Sequence, residues 1–248
     1  MRNKRFVMLL FFALLYVYTG STGVFAMNTG FSMQTMKTED QNTFLSNIQL
    51  VKNEKEPKKN SIECFDVNED GLIAIGTSVS SDSSRKVVSV YDLSGDYKYG
   101  FDFNCHQSFG VEWDGNNLLI YFVRSDVAAL VDEKGTILKL QEIENTTNNN
   151  SYWNHSVFST QRTVGNYKYI IKNDMGLLNI FASSYSQLIA VDDQGNQKIL
   201  YDVNNAQMAR TIIMFIAVIM IVALAVSVIV SQFLKMRRTG DDSKPLKK

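Results

Sequence analysis

The sequence predicts an all-β domain of four-stranded antiparallel repeat units, followed by one C-terminal transmembrane α-helix. Three observations carry this expectation. A turn phrase recurs in "VYDLSGDYKYGFDF" (90–103), "LVDEKGTILKLQEI" (130–143) and "AVDDQGNQKILYDV" (190–203). Short alternating runs rich in Val, Ile, Tyr and Phe fill 61–203 without a helical period. Ile212 to Val230 is an uncharged run of 19 residues, long enough to cross a bilayer.

The ends give the expected topology. Arg2, Lys4 and Arg5 precede the apolar run Phe6–Tyr18, and Val24 and Ala26 put small residues at a cleavage position. That is the pattern of a secretory signal peptide over 1–26. Its apolar run reaches only roughly 20 Å as a helix, short of a ~30 Å hydrocarbon core, so cleavage is expected rather than anchoring. The transmembrane helix is placed at 210–234 and a basic tail at 235–248. Lys235, Arg237 and Arg238 follow the apolar run directly. By the positive-inside rule the tail is cytoplasmic, which puts the N-terminal domain outside the cell membrane. Within the helix, Ala223 and Ser227 form a small-xxx-small pair of the kind that permits helix pairing.

Charge is segregated along the chain. Residues 27–209 carry 15 Lys and Arg against 23 Asp and Glu, a net −8. An acidic exported part disfavours nucleic acid or anionic headgroups as its partner. Residues 27–60 are polar and uneven and read as a linker or arm. It contains one candidate strand, "FLSNIQLV" (44–51), and the charge run "KNEKEPKKN" (52–60).

The β-repeat domain is expected over 61–205. Its strands fall at 62–67, 72–77, 87–92 and 97–103; at 109–113, 118–123, 127–132 and 136–142; and at 167–172, 177–182, 187–192 and 197–202. The first two strands of each set flank an Asp-Gly turn, in "FDVNEDGLIAIG", "VEWDGNNLLIYF" and "IKNDMGLLNIFA", where Gly accepts a positive φ. Gly95 and Gly135 are 40 residues apart, Gly135 and Gly195 60. The difference is an insertion, "ENTTNNNSYWNHSVFSTQRT" (144–163).

Four short strands per 40–45 residues resemble β-propeller blades of the YVTN or NHL-like kind. The resemblance rests on the D-x-x-G turns at Asp92/Gly95, Asp132/Gly135 and Asp192/Gly195. It covers about three blades, whereas closed propellers take at least about four. The resemblance therefore implies a partial fourth unit begun by "FLSNIQLV", a homodimer that completes a ring, or an open array. A β-sandwich of twelve strands is the alternative.

In such propellers, ligands bind the rim formed by the connections between units and the loops joining second to third strands. That rim would carry Tyr152, Trp153 and His155 from the insertion, together with His106, Arg124, Asp126 and Tyr185. Cys64 and Cys105 fall at the same rim, as a candidate disulfide or as two free thiols. The segment "DVNEDG" (66–71) opens like a calcium loop with Asp66, Asn68 and Asp70. Its twelfth position is Thr77 where an EF-hand needs Glu, so it reads as a hairpin turn and no metal or cofactor is expected. The chain has two histidines and no GxSxG, HExxH, P-loop or CxxC pattern. The expected function is non-enzymatic: a single-pass membrane protein that binds or assembles with an envelope protein or glycan. The alternatives are an envelope hydrolase with its site on this rim, or an accessory subunit of a membrane transport or secretion complex.

Overall fold

The recurring turn phrase closes three hairpins in one way. Asp92, Asp132 and Asp192 each donate their backbone N–H to the carbonyl four residues on and accept from the glycine three residues on, at 3.0–3.1 Å. Each carboxylate also accepts two backbone N–H groups of its own turn, the Asx capping that makes Asp a turn former. Gly95, Gly135 and Gly195 sit at φ 90°, 86° and 84°, a region that a Cβ disfavours. These turns join β5 (Asp82–Tyr91) to β6 (Tyr97–Asn104), β9 (Val127–Val131) to β10 (Ile137–Ile143), and β13 (Gln187–Val191) to β14 (Gln197–Asp202).

The computed structural model describes residues 27–79 and 82–241. The expected signal peptide (1–26) and residues 242–248 of the expected tail lie outside the described residues. Three antiparallel sheets make up the domain, none of them closed. The first contains β3 (Ile62–Val67), β4 (Ile73–Val79), β5 and β6. The second contains β7 (Phe109–Asp114), β8 (Asn117–Phe122), β9 and β10. The third contains β11 (Gln161–Val164), β12 (Tyr167–Lys172), β13 and β14. In each, the four strands pair in chain order.

The third sheet departs from the expected register. Gly176–Phe181 is a 3-10 helix, not a strand, and the first strand of the set is β11, from the end of the expected insertion. The hairpin turn is Gly165-Asn166 rather than Asp174–Gly176. It repeats the two-residue turn Gly115-Asn116 of the second sheet, with φ 57° against 59° at the glycine. The rest of the insertion folds as α2 (Thr147–Tyr152) and a π-helical turn (Trp153–Val157).

Residues 27–60 are not a free arm. β1 (Met33–Thr35) adds to the edge of β10, and β2 (Val51–Asn53) adds to the edge of β6. Between them runs α1 (Thr38–Ile48). "FLSNIQLV" is thus divided between the end of α1 and the start of β2. It begins no fourth unit. Ile48 is buried, and the Phe44 ring meets Phe122 edge-on at 4.9 Å.

The first sheet is the middle layer. One apolar core packs Val88, Phe101 and Phe103 against Phe109, Leu118 and Ile120 of the second sheet. Another packs Phe65, Ile73 and Ile75 against Tyr169, Ile171 and Leu188 of the third. Runs such as "LIAIG" and "VVSVY" lack strict polar alternation because both faces of their strands are buried. The far face of the second sheet is covered as well: Phe31, Trp153 and Val157 pack on Leu119, Tyr121 and Leu130. The far face of the third sheet has no such cover among the described residues. On it Ile199 is 54 % exposed and Ile170 half-buried, while Ile189 is buried.

The first strands of the three sheets meet at one side chain. The Asp66 carboxylate on β3 accepts the Trp113 backbone N–H of β7 and the Arg162 Nε–H of β11, each at 2.8 Å. The Arg162 guanidinium also donates to the carbonyls of Val157, Ser159 and Gln161 and lies over the Phe65 ring. Burial pushes the Asp66 carboxyl above its usual range, while Arg162 and the Trp113 N–H oppose that shift.

α3 (Asn204–Asp241) follows β14 after the single residue Val203. Its segment Asn204–Leu234 has a mean hydropathy of 3.3 over its most apolar window and is long and apolar enough to cross a membrane.

Replacing Asp66 by Ala removes one partner of a largely buried ion pair and strands Arg162. The expected cost is about 3–5 kcal/mol, read as a lower denaturant midpoint for the variant chain. A change within experimental error would show that the three strands are held by apolar packing alone.

Candidate functional site at the rim beside the C-terminal helix

The rim expected to bind ligands is the rim from which α3 leaves the domain. The first two turns of α3 are built into it. The Val203 N–H donates to the Ser186 carbonyl (2.8 Å), and Asn204 Nδ2 donates to the Asp174 carbonyl (2.7 Å). Gln207, buried, donates to the Ser184 carbonyl (3.0 Å) and to Asn173 Oδ1 (3.3 Å). Arg210 reaches Asn60 Oδ1 at 3.0 Å, and the Asn60 backbone is held in turn by the Tyr201 hydroxyl. Thr211 is buried, and the helix residues from Ile212 to Leu234 are exposed except half-buried Phe215. These polar anchors leave the helix little freedom to swivel against the sheets.

Two hollows open on this rim, and exposed His106 borders both. One, of about 470 Å³, is lined by Glu63, Lys86, Ser108, Phe158 and Ser183. At its floor the Lys86 ammonium donates to both Glu63 oxygens, at 3.1 and 3.3 Å, and to Ser78 Oγ, and the Ser78 hydroxyl donates to Glu63. Lys86 is 5 % exposed and stands over the Phe109 ring. A buried ammonium needs such partners, and here they use its donors, so the cluster is an internally satisfied floor. The other hollow, of about 370 Å³, has an apolar base of Phe44, Ile48 and Phe122, with Arg124 and Cys105 at its edge.

The expected surface is therefore divided. His106 and Arg124 come together around the second hollow. Asp126 lies in the tight turn before β9, at φ 50°, and its carbonyl accepts the Ile143 N–H. Tyr185 is bridged through its backbone to Ile62 and packs on the core between the first and third sheets. Trp153 is turned into the core and Tyr152 is half-buried. Trp153 is 9 % exposed, stacks on Phe158 at 5.7 Å and meets Phe31 and Tyr121. The Tyr152 hydroxyl donates to Glu112 at 2.9 Å, and its pKa is pushed up to about 12 by burial and by that carboxylate. The insertion folds these rings down because water would otherwise cover their apolar area. His155 stays exposed, its Nδ1 within 2.9 Å of the Ser151 carbonyl.

The candidate disulfide is not formed. Cys64 and Cys105 are both free. Cys64 is buried in the core facing Gly76, where no Cβ fills the space, and Cys105 Sγ turns to the Gln107 carbonyl at 3.3 Å. Burial pushes both thiols up. "DVNEDG" forms a hairpin turn: Asn68 Oδ1 caps the Leu72 N–H, and Asp66 is engaged by Arg162 and Trp113. Among the described residues no group of three His, Cys, Asp or Glu side chains is placed to hold a metal.

Sequence reasoning missed Glu63, Ser78 and the Asn60, Gln207 and Arg210 anchors. Glu63 in "IECFDV" and Lys86 in "RKVVSV" were the available signal, as charges set within apolar strands. Compared with family models, curated proteins and solved structures, the chain matches none.

Replacing Trp153 by Ala is expected to cost about 3–5 kcal/mol of stability, the range for large aromatic truncation in a core. Unfolding of the variant checks this. An unchanged midpoint would return Trp153 to the surface role that its packing denies.

Proposed function

We propose that this chain is a single-pass membrane protein: α3 spans the cell membrane, the tail is cytoplasmic, and the β domain binds or assembles with an envelope partner outside. In this reading the three units are propeller-like blades stacked through β3, β7 and β11, the first strand of each. The meeting of those strands at Asp66 supports blades over a sandwich of twelve strands.

One observation carries the assembly reading. The far face of the second sheet is capped by Phe31, Trp153 and Val157, and the first sheet is covered on both faces. On the equivalent face of the third sheet Ile199 is 54 % exposed and Ile170 half-buried, while Ile189 between them is buried. A repeat unit leaves an apolar face that a neighbour normally covers. A protein partner or a second copy on this face completes the stack.

A photo-crosslinking amino acid at position 199, in the full chain in its membrane, tests this. The expected result is one discrete adduct that is absent when the same group stands at position 134, in the β9–β10 hairpin of the second sheet. An adduct of twice the chain mass identifies a second copy. No adduct at position 199 overturns the assembly reading.

A further inference from the structure

The two most exposed large apolar side chains in the β domain are on one short element. Leu177 is 92 % and Ile180 81 % exposed, both in the 3-10 helix Gly176–Phe181. At three residues per turn, positions i and i+3 of a 3-10 helix share a face. Of the other two apolar residues, Leu178 is half-buried, and Phe181 turns to α3 and meets the Phe215 ring edge-on at 4.5 Å. Phe215 is the fourth residue of the run that starts at Ile212, so it lies about 4.5 Å inside that run at 1.5 Å per residue. From Met175 to Ser186 the loop has no charged side chain.

The loop is also fixed. Asn179 accepts the Met175 N–H at 2.8 Å, and the Ala182 N–H closes onto the Asn179 carbonyl at 3.1 Å. Its two flanks are stapled to the first turn of α3, through Asn204 to Asp174 and through Gln207 to Asn173 and Ser184. Gly176, at φ 58°, makes the sharp entry. A mobile tip that exposed two large apolar residues could fold them back onto the domain. This one holds them outward at the level where α3 becomes apolar.

We propose that the Gly176–Phe181 helix is a membrane wedge: Leu177 and Ile180 insert into the outer boundary of the bilayer that α3 crosses, and Phe181 seals the wedge to the helix. The occupant of this patch is the lipid itself. Continuity with the apolar surface of α3 argues for it, as does the absence of charge. Amphipathic elements that lie in the interface bury their apolar face about 5–10 Å deep, which matches the depth set by Phe215. The domain's net −8 offers no attraction to anionic headgroups, so the contact is made by apolar side chains. The consequence is orientation: the rim with His106, Arg124 and the two hollows faces the bilayer, and the D-x-x-G hairpins face away. This inference rests on α3 spanning the membrane.

The test uses the full chain in phospholipid vesicles. Leu177→Trp and Ile180→Trp are made singly, with Ile221→Trp in mid-helix and Asp193→Trp on the far hairpins as references. Quenching is read with lipids brominated near the top or near the end of the acyl chain, after subtracting the wild-type signal of Trp113 and Trp153. The expected result is blue-shifted emission from positions 177 and 180, quenched by the upper bromine and little by the lower, with position 193 unquenched. Ile221→Trp quenched while positions 177 and 180 are not would overturn the wedge and leave the span intact. In that case a blue shift without quenching would mean that a protein surface or a second copy covers the patch. An unquenched Ile221→Trp would refute the span itself, and the wedge with it.

Discussion

Asp66 is the point on which the arrangement of the three sheets depends. Each sheet is a local meander, held by hairpins that close over short stretches of chain. Such units form readily but do not specify how they stack, because apolar faces are non-directional. The Asp66 carboxylate supplies direction. Its two oxygens bind β7 and β11 at once, from β3, in a largely buried site. A carboxylate in such a place is costly unless fully partnered, so the geometry admits little slack. Arg162 extends the constraint, since its remaining N–H groups hold the Val157 carbonyl at the end of the π-helical turn and the Ser159 carbonyl just after it. The insertion is thereby fastened to the same knot.

A second chain of contacts passes this rigidity to α3. β14 ends at Asp202, and the helix starts at Asn204. No linker separates them, and Gln207 and Arg210 are spent on the domain rather than on solvent. An apolar span usually tolerates a flexible tether. Here the polar first turns belong to the globular part, and the apolar turns begin where the domain surface ends. Sheet stacking, helix exit and the outward pose of Leu177 and Ile180 are therefore linked parts of one body.

The turns were the most legible feature of the sequence. Asp and Gly at fixed spacing have few conformational options, so Asp92/Gly95, Asp132/Gly135 and Asp192/Gly195 could be read directly and fold alike. The first two sets of strands follow for the same reason. The third set was misaligned because "NDMGLLNIF" also carries Asp and Gly before an apolar run. There Leu177 and Ile180 serve a period of three rather than of two, and the true hairpin, Gly165-Asn166, is shorter and more polar around it. α1 was missed because "TEDQNTFLSNI" buries only Ile48, too little apolar face to show a helical period. Trp153 was legible as an aromatic in a polar loop, but its destination depended on Phe31 and Tyr121, which are far from it in sequence. Glu63, Lys86 and Ser78 are close only through strand pairing, which no local pattern reports.

The central claim is that sheets and helix form one body seated rim-down on the bilayer. Its most direct measurement is the distance from a label at position 134, on the hairpin rim, to acceptors in the headgroup plane of vesicles holding the full chain. Six residues of β3 alone span roughly 20 Å at about 3.3 Å per residue. The account predicts one narrow distance of at least about that height. A broad spread of distances, or a label lying at headgroup level, would contradict it.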